Sequence, residues 1–384
     1  MVEQSTTITS GVTAVSRACA ILRAFRYQGE TLRLRDLVER TRLSKVTVHR
    51  IAGTLAANGL LERAGHGYRS LIQSISPMRF RVGYAAQSDE FSFSRAVTES
   101  LRATAAAEHI DLIIVNNRYS RRTALRNAEF LIREKVDLIV EFQTDQNVAP
   151  IISSKYLEAG IPTIAVEIPH PGATYFGANN YAAGVLGGRF LGRWTKLNWA
   201  GLADELILLE LPVAGPLPRS RLTGVTDALR ELLPALQDRH IVRLDGNGQF
   251  GPSLEQVRKH LRRSRAERTL VAAINDPSAL GALRAFEEAG RVKRCAVLGQ
   301  NASEEARAEM RSPETRLIGS VGYFPERYGK EILALAAAIL HKEAVPPAIF
   351  VKHEMITPAN VDRYYPNDAL LSRDSIDAAL FRSA

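Results

Sequence analysis

Leu43-Ser44-Lys45-Val46-Thr47-Val48-His49-Arg50 opens an amphipathic helix. Ser44 is a good N-cap, and Val48, Ile51, Ala52 and Leu55 fall on one buried helical stripe. With that stripe turned inward, Lys45, Val46, His49 and Arg50 face outward near the N-terminal half. Asn58-Gly59 ends the helix. Upstream, Val15, Cys19, Leu22 and Phe25 form a helical stripe between Val12 and Phe25, and a Gly29-containing break follows. Thr31–Arg33 then reads as a short strand, and Leu34, Leu37 and Val38 mark a helix that stops at Thr41-Arg42. Downstream, Leu60–Glu62 and Tyr68–Ser70 flank Ala64-Gly65-His66-Gly67, a small hairpin. Two short helices across a tight turn, then a hairpin, make a winged helix-turn-helix.

The second helix of such a unit enters the DNA major groove by its N-terminal end. Lys45 and Arg50 reach phosphates or guanine edges, Ser44, Thr47 and His49 exchange hydrogen bonds, and the Val46 methyls touch a thymine methyl. Arg63, His66 and Arg69 place positive charge on the wing. The charge distribution agrees. Residues 1–81 hold 13 Lys/Arg against 5 Asp/Glu, whereas residues 82–384 hold 37 against 36. A concentrated positive patch suits double-stranded DNA as partner. The stretch from Ala14 to Tyr68 resembles the DNA-binding domain of IclR-type transcription regulators. The likeness runs through Ser16-Arg17-Ala18-Cys19-Ala20-Ile21-Leu22 and Leu34-Arg35-Asp36-Leu37, is tightest at Leu43–Arg50, and continues in Gly59-Leu60-Leu61-Glu62. Arg42 departs from it, standing where the family commonly has a turn glycine, and a left-handed backbone there costs an arginine something.

The chain has 384 residues, 46% hydrophobic and 24% charged, which predicts a packed globular protein of two or three domains. Two cysteines, Cys19 and Cys295, are too few for a disulfide framework or a thiolate zinc site, and Cys19 reads as a buried small hydrophobe. Met1–Val12 shows no secretory signal pattern. The longest apolar run, Ile332–Leu340, falls far short of the roughly 20 residues that span a bilayer. A soluble, cytoplasmic protein is expected, with no membrane partner.

Residues 71–78 form a Ser/Pro-containing connector with Pro77 at the boundary. Beyond it the pattern alternates. Phe80–Ala85, Asp111–Val115, Val136–Val140, Thr163–Val166, Leu206–Leu209, Ile241–Leu244, Leu270–Ile274 and Ala296–Leu298 read as strands. Helical stretches such as Arg95–His109, Arg121–Glu134 and Ala279–Ala289 lie between them. The fold class is therefore α/β, parallel sheets flanked by helices, and so long a body predicts two lobes. Ligands of such folds sit outside the carboxyl ends of the strands. Near those ends stand Asp89, Phe91, Phe93, Glu141, Glu167, Asn275, Asn301 and, in later loops, Arg219, Phe250 and Tyr323. Carboxylates, amides and an arginine mixed with aromatic faces suit a polyhydroxylated ligand, the polar groups gripping hydroxyls while rings cover C–H faces. Glu141 with Glu167 equally suits an amino sugar.

Residues from about Arg79 to Lys352 resemble the type I periplasmic sugar-binding proteins of the ribose-binding kind, a fold also used by the effector domain of LacI-type repressors. The likeness rests on Gly160-Ile161-Pro162-Thr163-Ile164, Gly177-Ala178-Asn179-Asn180-Tyr181-Ala182-Ala183-Gly184 and Ile274-Asn275-Asp276-Pro277-Ser278-Ala279-Leu280-Gly281-Ala282-Leu283. It implies a ligand role for Asn275, and pocket positions for Phe93, Glu141, Glu167, Arg219, Phe250, Asn301 and Tyr323. Glu167-Ile168 replaces the Asp-Arg pair of the ribose binders, Asn301 stands where Asp is usual and Tyr323 where Gln is usual, so ribose itself is not expected. The resemblance further implies lobes at about 79–178 with 325–351, and 179–322 with 352–363, leaving 364–384 as a tail. It also implies ligand-driven closure and a homodimer, to which the first helix offers Val15, Leu22 and Phe25.

Gly246-Asn247-Gly248-Gln249-Phe250-Gly251 satisfies the dinucleotide pattern and keeps an NAD(P)-dependent oxidoreductase open as an alternative. Against it stand Pro252 in the following turn and polar Arg243 and Asp245 in the preceding strand. No nucleophile elbow, Walker loop or paired metal-ligand histidines occur, so no catalytic activity, cofactor or metal is expected. The resulting expectation is a DNA-binding regulator sensing a sugar or sugar-like molecule between two lobes; a non-regulatory cytoplasmic sugar-binding protein is the other alternative.

Overall fold

The computed structural model describes residues 13–25, 30–71 and 80–368. The chain divides into two compact units, one of residues up to Phe80 together with Glu108–Asp111, the other of Arg81–Ala107 and the residues from Leu112 on. Most of the 71–78 connector, the Gly29 break and the tail beyond 368 lie outside the described residues.

The head is built from α1 (Thr13–Arg23), β1 (Thr31–Arg33), α2 (Leu34–Thr41), α3 (Lys45–Ala57), β2 (Leu61–Ala64) and β3 (Gly67–Ser70). Ile21, Leu37, Val48, Ala52, Leu55, Leu61 and Tyr68 close its core, so one apolar stripe from each helix meets the inner face of the hairpin. β1 and β2 flank β3, both antiparallel to it. Gly67 is required where β1 crosses, because a Cβ there would lie 2.4 Å from the Leu32 carbonyl oxygen. Helix α1 stops at Arg23, two residues earlier than the apolar spacing suggests. Phe25 is buried in the core and Leu22 packs against it, leaving Val15 exposed. Cys19 is half-buried, not fully enclosed.

The body starts with β4 (Arg81–Ala86), α4 (Ser92–Ala107), β5 (Asp111–Asn116), α5 (Arg121–Arg133), β6 (Leu138–Glu141), α6 (Ala149–Glu158), β7 (Thr163–Val166) and β8 (Thr174–Gly177). Then come α7 (Asn180–Trp199), β9 (Glu205–Glu210), α8 (Pro216–Leu232), β10 (Ile241–Asp245), α9 (Phe250–Leu261), β11 (Thr269–Ala273), α10 (Asp276–Glu288), β12 (Cys295–Asn301), α11 (Glu304–Met310) and β13 (Leu317–Gly322). The chain ends through α12 (Tyr328–Leu340), β14 (Ala348–Phe350), β15 (Glu354–Ile356) and α13 (Val361–Tyr364).

Two six-stranded sheets result, in the orders β14-β8-β7-β6-β4-β5 and β10-β9-β11-β12-β13-β15. β15 runs antiparallel to β13, while β9 to β13 pair in parallel. The central strands are apolar on both faces, as Leu206–Leu209 and Leu270–Ala273 show, because helices cover both sides. The chain passes between sheets after β8, after β13 and between β14 and β15. At these passages the Asn179 amide donates to His353 Nε2 at 3.1 Å, tying two of them together. The expected strands correspond to β4 to β7 and β9 to β12, while β8, β13, β14 and β15, which are short or interrupted by Gly and Ser, were missed. It also began α4 and α10 three residues late, because their first turns hold Ser92-Phe93-Ser94 and Asp276-Pro277-Ser278.

Arg42 sits at the C-cap of α2 with φ 56°, the left-handed turn that the helix-turn-helix demands. Its side chain is exposed. Replacing Arg42 by Gly is expected to stabilise the head by about 1 kcal/mol, read as a rise in the midpoint of its thermal unfolding.

Candidate functional site

A cavity of about 360 Å³ lies between the two sheets of the body. Segments that follow strand carboxyl ends line it from both sides: Gln87 and Glu90, Phe91, Ser92 and Phe93 after β4, Tyr119 after β5, Phe142 and Thr144 after β6, and Glu167-Ile168 after β7. The opposite wall comes from Leu211 and Ala214 after β9, Gly248 and Phe250 after β10, Ile274-Asn275 after β11, and Asn301 to Glu305 after β12. This is the crevice that parallel α/β sheets leave open.

At its inner wall an ion pair joins the two sheets. Arg221 Nη2 donates to Glu167 Oε2 at 2.9 Å, and both side chains are only 8% exposed. Arg221 also donates from Nε to Asn180 Oδ1 at 2.6 Å and from Nη1 to the Ile274 carbonyl at 3.1 Å. The second oxygen of Glu167 accepts from the Tyr328 hydroxyl at 2.7 Å. The guanidinium lies 5.0 Å from the centre of the Tyr323 ring. Burial pushes the Glu167 carboxyl up, and Arg221 is the strongest influence pulling it back. Arg221 reaches this place because α8 packs backbone-close on α7: a Cβ on Gly184 would lie 2.0 Å from the Arg221 carbonyl oxygen.

Of the residues singled out from sequence, Phe91, Phe93, Glu167, Phe250, Asn275 and Asn301 line the cavity. Phe93 meets Phe142, Tyr323 and Tyr328 edge-on at centroid distances of 6.4, 6.4 and 5.8 Å. Asn275 caps α10 through its Oδ1 and donates from Nδ2 to the Gly248 carbonyl at 2.8 Å. Asn301 has φ 108°, and its buried Oδ1 has no hydrogen-bond partner.

Four others lie outside the lining. Asp89 is exposed and accepts from Asn116. Arg219 is exposed on the outer side of α8; two residues of helix, about 200° of rotation, separate it from the inward Arg221. Tyr323 lies behind the wall, its hydroxyl donating to Gln300 Oε1 at 2.8 Å. Glu141 is fully buried as the last residue of β6, where it accepts from Tyr156 at 2.6 Å and Asn117 at 2.9 Å. Arg221 and Tyr328 were not foreseen. A signal for Arg221 was present in Gly184, Gly188 and Gly192, whose i, i+4, i+8 spacing marks a face of α7 against which another helix can pack closely.

Contacts between the sheets also bridge the cavity mouth. Ser92 Oγ donates to Glu305 Oε2 at 2.6 Å, with Arg95 at 3.9 Å from the same carboxylate. The Gln146 amide donates to the Val213 carbonyl at 2.9 Å, and the Tyr119 hydroxyl approaches the Asn247 carbonyl at 3.4 Å. The body is therefore described in a closed arrangement.

The Gly246–Gly251 loop follows β10, an edge strand with a half-exposed face. Asp245 accepts from the Asn247 amide at 2.8 Å, and Pro252 sits in the first turn of α9. The loop's Gly248 and Phe250 line the cavity, and the strand that precedes it is an edge strand rather than a central one.

In the head, Ser44 caps α3 by accepting from the Thr47 amide at 3.3 Å, and the two hydroxyls lie 2.8 Å apart. Lys45, Val46, His49 and Arg50 are exposed, Val46 at 78%. Arg63, His66 and Arg69 are exposed on the hairpin, with Arg69 paired to Glu62 at 2.8 Å.

A family model described as a periplasmic binding protein domain matches residues 82–344. The chain belongs to this family. A model of the IclR helix-turn-helix domain matches residues 14–65, so the protein joins an IclR-type head to a periplasmic-binding-protein body. Similar solved structures include an ABC-transporter solute-binding protein from Mycobacterium smegmatis with bound glycerol, at 19% identity and TM-score 0.65 over 74% of this chain and 96% of that one. One from Actinobacillus succinogenes with bound D-allose gives 18% and 0.64 over 74% and 100%. One from Bacillus halodurans with bound myo-inositol gives 21% and 0.64 over 75% and 98%. These likenesses show the fold. No match is found among curated proteins. Neither matched family is an enzyme family. Among the described residues no helix is long and apolar enough to cross a membrane, and no cluster of metal-ligating side chains occurs.

Two predictions concern this family's body. Arg221→Met alone strands a buried carboxylate and is expected to cost about 3–5 kcal/mol, while Arg221→Met with Glu167→Gln recovers much of that loss; denaturant unfolding reads both. Burial pushes the Glu141 carboxyl up to about 7, only partly offset by Tyr156 and Asn117. Between its ordinary value near 4.5 and 7 the folded state therefore holds a proton that the unfolded chain has released. Stability from this group falls as pH rises through that window and is level above it. Relative to the parent, Glu141→Gln is expected to be more favourable at pH 8 than at pH 5 by about 1–3 kcal/mol, measured by chemical denaturation at both.

Proposed function

We propose that this protein is a ligand-responsive transcription regulator without catalytic activity, working in the cytoplasm. Its head binds a double-stranded DNA operator through residues 44–50 and the wing, and its body senses a small sugar or sugar-like molecule in the cleft. The observation that carries the reading is the union, in one chain, of an exposed basic helix-turn-helix surface with a cleft whose polar and aromatic walls come from two lobes. The solute-binding proteins of similar fold hold glycerol, D-allose and myo-inositol, all polyhydroxylated. Ligand in the cleft favours the closed body, and in a homodimer closure changes the spacing at which two heads meet two half-sites.

Glu167, Arg221, Asn275 and Asn301 form the polar side of the proposed site, with Phe91, Phe93 and Phe250 covering ring faces. Lys45, Val46, Thr47, His49 and Arg50 form the proposed major-groove surface. Replacing Lys45 and Arg50 together by Ala is expected to abolish operator binding and to leave ligand-induced thermal stabilisation of the body in place. For the parent protein, DNA affinity is expected to fall by about a thousandfold between roughly 50 and 200 mM salt, while effector affinity moves by less than about threefold. A flat salt profile in fluorescence anisotropy, or loss of both activities in the double variant, counts against the assignment.

A further inference from the structure

The polar groups lining the cavity are largely matched to one another. Both Glu167 oxygens are taken by Arg221 and Tyr328. Arg221 already makes three hydrogen bonds, and Asn275 uses both ends of its amide. Gln87 donates to Thr144 at 2.7 Å, and Glu305 accepts from Ser92 at 2.6 Å. Among the buried side-chain atoms of the described lining residues, Asn301 Oδ1 is left without a partner. A bare sugar presents hydroxyls around its whole edge, and each one buried without a partner is penalised. This cavity compensates few of them, so the hydroxyls of a sugar ring, free or glycosidic, contribute little affinity here and apolar contact must supply the rest.

Its remaining surface is apolar and aromatic, and that surface is concentrated where the two lobes approach. Phe91 and Tyr119 pack with ring centroids 5.2 Å apart on one side. On the other, Phe250, which is 44% exposed, and Leu211 line the cavity. The Tyr119 hydroxyl nears the Asn247 carbonyl, so these two apolar walls face each other across the mouth. Charge adds a further selection. Arg221 is neutralised by Glu167, and the mouth carries Glu90 and the Arg95-matched Glu305, so among the described lining residues no Lys or Arg is unpaired for an anionic ligand.

We propose that the effector is a neutral glycoside, a sugar ring carrying an apolar substituent, with the sugar against Asn301 and the inner wall and the substituent between Phe91–Tyr119 and Phe250. This deepens, and rests on, the reading of the cleft as a sugar-sensing site. Aromatic walls of this kind reward apolar area that a free sugar lacks.

The test is isothermal titration calorimetry of the full chain with matched sets of free sugar, methyl glycoside and phenyl glycoside. Glucose, galactose, allose, fucose and ribose supply the sugar rings, with glucose 6-phosphate as the anionic probe. At least one phenyl glycoside is expected to bind about tenfold or more tightly than its methyl counterpart. In Phe250→Ser that ratio is expected to fall towards unity, an internal comparison that general loss of affinity does not mimic. Circular dichroism and thermal melting check that this variant, altered at a half-exposed position, keeps its fold. If a free sugar binds as tightly as its phenyl glycoside, or glucose 6-phosphate binds best, the glycoside proposal is overturned while the sugar-sensing reading stands. If no member of any set binds, both fall.

Discussion

The guanidinium of Arg221 and the carboxylate of Glu167 meet between two sheets that share no strand, and nearly everything about the cleft is arranged around that meeting. Two charges taken out of water attract strongly, but their desolvation consumes most of the gain, so the pair does little as a simple fastener. What it supplies is register. Arg221 reaches Glu167 in one lobe while also holding the Ile274 carbonyl in its own lobe and Asn180 beside the passage between them. Opening the cleft by sliding or rotation must separate these charges or hydrate them, and a ligand that excludes water from the same wall strengthens them. In the proposed sensing role, this pair is the contact that couples filling of the cleft to its closure.

Around this centre several ordinary features acquire a purpose. The turn at Asn301-Ala302 runs through positive φ at two consecutive non-glycine residues, a strained path that needs outside support. Ser320 Oγ accepts from the Ala302 amide at 2.9 Å and Asp276 accepts from the Ser303 amide at 2.6 Å. Arg307 completes the support, donating to the Ala302 carbonyl at 2.8 Å while its guanidinium stacks 4.1 Å over Tyr365 and pairs with Asp368. Tyr365 and Asp368 thereby brace the cavity wall from behind, although neither lines the cavity. Burial pushes Asp276 up to about 7, and the hydrogen bonds from Ser320 and Ser303 work against that rise.

The head and the order of the body's main strands were legible because each rests on local periodicity. Ser44 to Leu55 carries its cap, its stripe and its outward charges within twelve positions, and the four apolar residues Leu206–Leu209 announce a strand covered on both faces. The short strands β14 and β15 are strands only because the existing edges β8 and β13 receive them, a long-range condition that a three-residue segment does not encode. Site residues divide in the same way. Phe93, Glu167 and Asn275 follow strand ends, were singled out from that position and from the resemblance to the ribose binders, and line the cavity. Arg219 and Arg221 are chemically identical and two positions apart, and the choice between them is made by the rotational phase of α8, fixed by glycines some thirty to forty residues earlier. Glu141 illustrates the opposite limit: it ends a strand as expected, yet Asn117 and Tyr156 enclose it within its own lobe.

The interleaving of the two sheets also imposes a timetable on synthesis. A ribosome delivers residues 81–177 first, and with them a sheet whose outer strand, Thr174–Gly177, has no neighbour on one side until Ala348–Phe350 arrives about 170 residues later. Through that interval the nascent first lobe also lacks α12, which packs against α4. An open strand edge is a template for wrong pairing. Premature termination anywhere in the second lobe therefore leaves the first one unfinished as well, so a truncated chain yields no intact half of the body.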